Sequence, residues 1–439
     1  MKVTIDDRNP DGRGRGRADG RVALVSQAHP GETVVLRADK VTRGTLQGRV
    51  AKIETRDPDR LEHACAHEFH CTGCPLLAAS LWDEARFKRG RVEAALAEVD
   101  PVLTTRLAAI EQPSEPFGYR HFAKQTFTHR DGRVTLGSYV AGTHSLTDNT
   151  GCPVLTPELA GLLERLSTRV EEGGLAIRDQ DTVGLKHALA RQAFSSGRQL
   201  LTLVQDHEDV TISRALLESV LSEEELVVGA FLLVQERGCN NLTAGELVHV
   251  GGETALTEEL LGHAQSVGPL SFFQANPAAA TAMFAAALEM AGEDERVVEG
   301  YSGVGALTLP LSDRFGSVVA IESSEEAAGA LSRVASEQGR SIDVRQARVE
   351  DAIEDTLAQV APQVAVMDPP RKGLGVEVAS ALASSESLQR VVLLSCEAKA
   401  LTKDLPPFLE RGWSLESCRP FDTFPRTAHV EVVSLLVRR

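Results

Sequence analysis

A thiol can act as nucleophile, metal ligand or core filler, and the seven cysteines of this chain divide along those lines. Cys396 follows four apolar residues, Val391 to Leu394, in "VVLLSCEAKA". Such a run predicts a strand covered on both faces, and a helical pattern from Glu397 to Leu405 comes after it. In an open α/β sheet that strand end is where ligands bind, although cysteine is also among the most often buried residue types. Cys65, Cys71 and Cys74 lie together in "CAHEFHCTGC", a C-x5-C-x2-C spacing within a polar segment that core packing explains poorly. Cys152, in "TGCP", is a candidate fourth ligand. Four thiolates suit a [4Fe–4S] cluster, whereas cysteines joined by His67 or His70 suit zinc, and composition does not choose between them. Cys239 and Cys418 fall in no motif and read as core or surface thiols.

A second set of residues outlines a cofactor pocket. In "VVEGYSGVGALTLPL" a glycine-rich turn, Gly300-Tyr301-Ser302-Gly303-Val304-Gly305, joins a strand to a helix. Glycines there let the backbone turn tightly and approach a ligand. Glu322 ends the next strand, "SVVAIES", where a carboxylate can accept both ribose hydroxyls. Together these indicate an adenosine-type cofactor and leave NAD and S-adenosylmethionine both open. "VAVMDPPRKG" ends its strand in Asp368-Pro369-Pro370, a rigid polar elbow better suited to holding a planar base than to hydride transfer. Glu431, in "HVEVVSLL", is a carboxylate lodged between apolar neighbours. Buried and unpaired it would keep its proton and suit catalysis; alternation with His429 also allows it to face outward.

These groups need a scaffold. Across residues 266–439 apolar strands ("RVVEG", "SVVAIE", "VAVMD", "RVVLLS") alternate with Ala-rich helices, which predicts a Rossmann-like, doubly wound parallel sheet of the α/β class. Residues 20–62 alternate apolar and polar positions between Gly and Pro, which predicts a small β-barrel, so that 1–62 forms one domain. The stretch "DGRGRGRADG" just upstream suits a phosphate-contacting arm or a solvated linker. Residues 63–265 predict a mixed α+β central domain, with a helix over 79–98 and strands in "QLLTLVQ" and "LVVGAFLLVQ". Within it, residues 117–133 carry four aromatic residues and four Lys or Arg against one acid, a composition that suits single-stranded RNA or an ordinary amphipathic strand.

The net charge of −16 argues against nucleic-acid binding by bulk electrostatics, but the charge is segregated: residues 1–60 carry +4 and the remainder −20. No apolar stretch is long enough for a membrane span, and the polar N-terminus lacks a secretion signal. Sparse cysteines, odd in number, fit a cytoplasmic protein that keeps its thiols for metal or catalysis.

Five motifs in order, "FFQANP", "GYSGVGALTLPL", "MDPPRKG", "LLSC" and "DTFPRTAHVEVVSLL", resemble those of the RNA uracil-5-methyltransferase family. The resemblance extends through "FGYRHFAKQ" and the cysteine cluster to a TRAM-like, OB-like barrel at the N-terminus. It implies an S-adenosylmethionine-dependent enzyme forming 5-methyluridine. Cys396 would add to uracil C6, C5 would take the methyl group, and Glu431 would remove the C5 proton. Gln274, Tyr301, Gly303, Gly305, Glu322 and Asp368 would contact cofactor or base. The resemblance also favours a [4Fe–4S] cluster on Cys65, Cys71, Cys74 and Cys152 over zinc. The partner it implies is RNA, ribosomal rather than transfer, with the target base flipped into the pocket and neither a membrane nor an obligate protein partner. The chain departs from the family at Ala306, at Arg348, and at Glu397-Ala398, where Asn-Pro commonly follows the cysteine. A methyltransferase acting on an exocyclic base nitrogen, needing no cysteine, and a non-catalytic metal-cluster RNA-binding protein are the alternative readings.

Overall fold

The computed structural model describes residues 1–439 except 43, 64, 142, 179–181, 208, 240 and 242–243. By contacts the chain falls into two compact units, each discontinuous in sequence. One comprises Met1–Glu84, Pro116–Leu256 and Pro425–Ala428; the other comprises Ala85–Glu115, Thr257–Phe424 and His429–Arg439. No helix among the described residues is long and apolar enough to cross a membrane.

In the first unit, five strands between Lys2 and Thr55 close into a barrel around Val3, Ile5, Val25, Val34, Leu36 and Leu46. The stretch expected as an arm or linker is one of these strands, Gly14–Ala18. Its alternation is written in glycine instead of apolar side chains. Gly14 and Gly16 face inward, where a Cβ on Gly16 would lie 2.0 Å from the Thr4 carbonyl oxygen, while Arg15 and Arg17 face out. Next comes a six-stranded sheet, ordered Glu246–Gly252, Val227–Val234, Gln199–Gln205, Leu185–Gln192, Phe122–Arg130, Arg133–Gly137. The helices Pro157–Glu172 and Thr211–Glu223 cover one face with Leu159, Leu162, Leu166, Leu217 and Val220. The aromatics of 117–133 are mostly structural: Tyr119 and Phe127 are buried, and the Arg191 guanidinium stacks over Phe122 at 4.7 Å.

The second unit is built on a seven-stranded sheet. Its order is Ile342–Gln346, Phe315–Glu322, Asp294–Gly300, Val364–Met367, Arg390–Ser395, Glu431–Arg438, Trp413–Phe421. The first five strands are parallel, and the last two join antiparallel. Both faces are covered. Val391 and Leu393 pack on one side with Ile353, Val378 and Leu401, while Val392 and Leu394 pack on the other with Met283, Phe284 and Ala287. That is why the strand before Cys396 is an unbroken apolar run rather than an alternating one. Each such side chain contributes roughly 1.5–3 kcal/mol of burial, so the strand end is held firmly.

Candidate active site and cysteine cluster

Register alone assembles the site. Gly300 pairs with Ile321 on one side and Met367 on the other, so Tyr301, Glu322 and Asp368 leave the sheet side by side at its C-terminal edge. The order of strands reverses between Asp294–Gly300 and Val364–Met367, the switch point at which such sheets bind ligands. Ser395 pairs with Val432 in an antiparallel ladder, so Cys396, just past the end of its strand, leaves the sheet beside the start of the strand Glu431–Arg438. Sequence spacing could not supply this placement, because it depends on the C-terminal strand inserting beside the Cys396 strand.

The charges at this edge act on one another. Burial pushes the Cys396 thiol up to about 11, the negative charges of Glu431 and Asp368 add to the shift, and Arg371 opposes it. Glu431 is buried, not outward-facing, and is raised to about 8 by desolvation and then by Asp368, with Thr423 and Arg371 pulling the other way. Desolvation raises Asp368 to about 7. A thiol, a glutamate and an aspartate thus lie within electrostatic reach of one another at this sheet edge, with Arg371 opposing the shifts of Cys396 and Glu431. Arg371 is a site residue that sequence reasoning misses, although it lies inside the motif "MDPPRKG".

The glycine turn has the shape of a ligand cradle. Gly303 and Gly305 have φ of 56° and 97°, and Tyr301 adopts φ 64°, strained for a side chain of its size. A Cβ at Gly305 would lie 2.4 Å from Leu331 Cδ1, whereas one at Gly303 would meet nothing within 4 Å. Glu322 Oε2 accepts from the Gly303 N–H at 2.9 Å and Oε1 from the Ser324 N–H at 2.7 Å. Each oxygen retains lone-pair capacity for a ribose hydroxyl. Beside them, Glu299 Oε2, the Tyr301 hydroxyl, Ser302 Oγ and Ser395 Oγ are buried without hydrogen-bond partners. Each costs roughly 1–3 kcal/mol when left unmade, so their gathering at one strand edge fits a polar ligand. Glu299, raised to about 8 chiefly by burial, is also missed in the sequence, where it reads as one more residue of the strand. Gln274 lies half-buried in the loop before the helix Pro277–Ala291, and next to its loop neighbours Phe272 is 76 % exposed. Of the departures, Ala306 packs against the apolar core, Arg348 lies beside Glu350 and Asp351, and Glu397 pairs with Arg91 at 2.6 Å.

In the first unit Cys65, Cys71, Cys74 and Cys152 line one cavity, together with Gln27, His67 and Glu68. Burial raises the Cys74, Cys152 and Cys65 thiols, and the neighbouring cysteines add to each shift. Backbone N–H groups point at the sulfurs: Gly73 at Cys71, His67 at Cys65, and Val154 and Leu155 at Cys152. Such donors stabilise thiolates. Among the described residues no group of three or more His, Cys, Asp and Glu is arranged to hold a metal ion. Of the two histidines, His67 Nε2 lies 2.7 Å from the Thr150 carbonyl oxygen and His70 is exposed. Four thiols around one cavity are a soft donor set that suits an iron–sulfur cluster and zinc alike.

Comparison with known proteins agrees with this architecture. Residues 264–439 match the model of the tRNA (uracil-5-)-methyltransferase family, and residues 1–51 match the TRAM domain. Residues 264–439 are thus similar to the RNA uracil-5-methyltransferase family, and residues 1–51 to a TRAM domain. Among its relatives are proteins named as uncharacterized RNA methyltransferases. The one from Synechocystis is 28% identical, covering 99% of this chain and 95% of the relative. The one from Halalkalibacterium halodurans is 26% identical, covering 99% and 96%. The fold is similar to the crystal structure of Pyrococcus abyssi tRNA (uracil-54, C5)-methyltransferase in complex with S-adenosyl-L-homocysteine. Its TM-score is 0.77 at 20% identity, over 100% of both chains.

Proposed function

We propose that the protein transfers a methyl group from S-adenosylmethionine to C5 of a uridine in RNA. The observation that carries the reading is that Cys396 and Glu431 leave neighbouring strands at one sheet edge, where the Glu431 charge acts on the sulfur and Asp368 acts on both. C5 of uracil is a weak nucleophile, so the reaction needs a sulfur that can add to C6 and later leave. Cys396 adds as thiolate to C6, and the electron pair delocalises onto the ring carbonyl. When bound, S-adenosylmethionine supplies the electrophilic methyl group and a positive charge that favours the thiolate. Glu431, as carboxylate, takes the proton from the methylated C5, and the returning electrons expel Cys396. Asp368 and Gln274 orient the base, Glu322 holds the ribose, and the glycine turn cradles the cofactor. Phe272 offers an exposed ring on which a base can stack.

The positive charge of residues 1–60 and the match to the TRAM domain support RNA as partner. Ribosomal RNA is the first substrate to test and transfer RNA the second. We assign Cys65, Cys71, Cys74 and Cys152 as ligands of a [4Fe–4S] cluster with a structural role, since methyl transfer moves no net electrons. Iron and acid-labile sulfide measured in anaerobically purified protein test this directly, with C74S expected to lose both; stoichiometric zinc in place of iron overturns it. For the activity, mass spectrometry of ribosomal and transfer RNA compares cells carrying the native gene, no gene, or C396A. Loss of one 5-methyluridine in the latter two is expected. Full methylation by C396A overturns the mechanism and points to attack on an exocyclic nitrogen.

A further inference from the structure

The elbow that carries Asp368 and Arg371 is fixed at both ends. At its start the Asp368 N–H donates to the Gly300 carbonyl at 3.3 Å, and the rings of Pro369 and Pro370 stiffen the backbone leading to Arg371. At its far end the holding group comes from another part of the chain. Asp404, fully buried, accepts from the Leu374 N–H at 3.1 Å and from the Gly375 N–H at 3.3 Å. Asp404 ends the short helix Leu401–Asp404, which lies just beyond Cys396. Gly373, between Arg371 and these amides, has φ 81°, and a Cβ there would come within 2.4 Å of Asp404 Oδ2. The fit is therefore close enough to demand glycine. Burying a carboxylate on two amides alone is a costly way to hold a loop, since burial raises Asp404 and only the Leu374 and Gly375 amides and Lys403 oppose the shift.

We propose that Asp404 is a positioning residue that locks the elbow to the segment carrying Cys396, so that Arg371 is presented to Cys396 and Glu431 in a fixed place. Arg371 is exposed, and its charge acts on Cys396, Glu431 and His429. The charged groups that bear on the Cys396 sulfur are Glu431 from the C-terminal strand and Asp368 and Arg371 from the elbow. Two of these three thus sit on the segment that Asp404 holds. With the lock released, the elbow moves with its arginine, and the sulfur is left facing carboxylates. The inference rests on Cys396 being the reactive thiol, and its test does not depend on methyl transfer.

The test is the pH dependence of iodoacetamide alkylation of Cys396 in the full-length protein, monitored on the Cys396 peptide by mass spectrometry. R371Q, which removes the charge, and D404N, which removes the lock, should both move the midpoint upward by about half a unit to one unit. Alkylation at pH 8 then slows about three- to tenfold. D404N/R371Q should show no further shift, and R371K should keep the native midpoint. An unchanged midpoint in D404N, or a D404N shift that adds to that of R371Q, overturns the proposal and leaves Asp404 as a helix cap only. Should D404N not fold, G373A keeps the carboxylate but displaces it, and the same two outcomes apply. C396S retaining full methylation sinks the catalytic reading instead, whatever the alkylation of native Cys396 reports about Asp404.

Discussion

Replacing Glu431 by glutamine separates the two steps that the proposed mechanism gives to neighbouring groups. Glutamine preserves the shape of the side chain but cannot take a proton from C5. A positioned general base contributes typically 10²–10⁴-fold, so turnover of E431Q should fall by about that factor. Formation of the C6–sulfur bond should not fall with it. The Glu431 charge is one of the causes that hold the Cys396 thiol at about 11, so its removal favours the thiolate. Addition proceeds, elimination stalls, and a methylated RNA–protein adduct should accumulate.

The native enzyme offers a second measurement of the same group. With Glu431 raised to about 8, only about a tenth of it is ionised at pH 7, because one unit is a factor of ten. The base-competent fraction therefore grows as pH rises, and single-turnover release of product should climb through pH 6–8 and level off above that. The assay is a denaturing gel with methyl-labelled S-adenosylmethionine, together with peptide mapping of the adduct to Cys396. Loss of turnover without adduct, in a variant that still binds RNA and cofactor, would falsify the assignment of Glu431. So would adduct formation by C396S/E431Q, or product release that slows between pH 6 and 8.

Two further outcomes arise from buried charge. Glu299 holds its proton up to about pH 8 in the folded protein, whereas in an unfolded chain it releases it near ~4.3. Its contribution to stability is complete below the lower value and is lost as pH rises through the upper one. Urea melts of E299Q should therefore show a flatter stability profile between pH 5 and 9 and greater stability than native at pH 9; a steeper profile counts against burial of this carboxyl. Arg91 and Glu397 form a partly buried pair directly after Cys396. R91E and E397R should each slow turnover about fivefold, and the double swap should restore much of it, since such pairs are worth up to ~1 kcal/mol. Additive losses in that cycle would mean that the pair does not act as one.

How much of this was legible depended on whether a feature is local. The apolar run before Cys396, the glycine turn, Glu322 at its strand end and the Asp-Pro-Pro elbow all declare themselves within a few residues, because backbone chemistry and strand burial act at that range. The Gly14–Ala18 strand stayed hidden for the opposite reason: its inward positions are glycines, so apolar alternation gave no signal and the arginines suggested an arm. The segment 117–133 left two readings open, since a composition that suits RNA also suits aromatic packing in a sheet, and burial gives Tyr119 and Phe127 the second role. What sequence could not supply was order across the sheet. The strand Glu431–Arg438 enters antiparallel beside the Cys396 strand, and nothing in either segment says so.

The residues that were missed share a physical cause. Glu299 and Asp404 are carboxyl side chains among apolar neighbours, and Arg91 finds Glu397 at a separation of 306 positions. Each acts only through a partner that folding brings to it, so local pattern gives it no distinguishing mark. Such groups are costly to bury, and each persists where its cost is offset by what it holds: two amides for Asp404, the segment after Cys396 for Arg91. Glu299 differs in having one oxygen buried with nothing to bind. By the same accounting its partner should arrive with the ligand, and cofactor binding should therefore protect the strand Asp294–Gly300 from hydrogen exchange more than the strand Ile342–Gln346 at the edge of the same sheet.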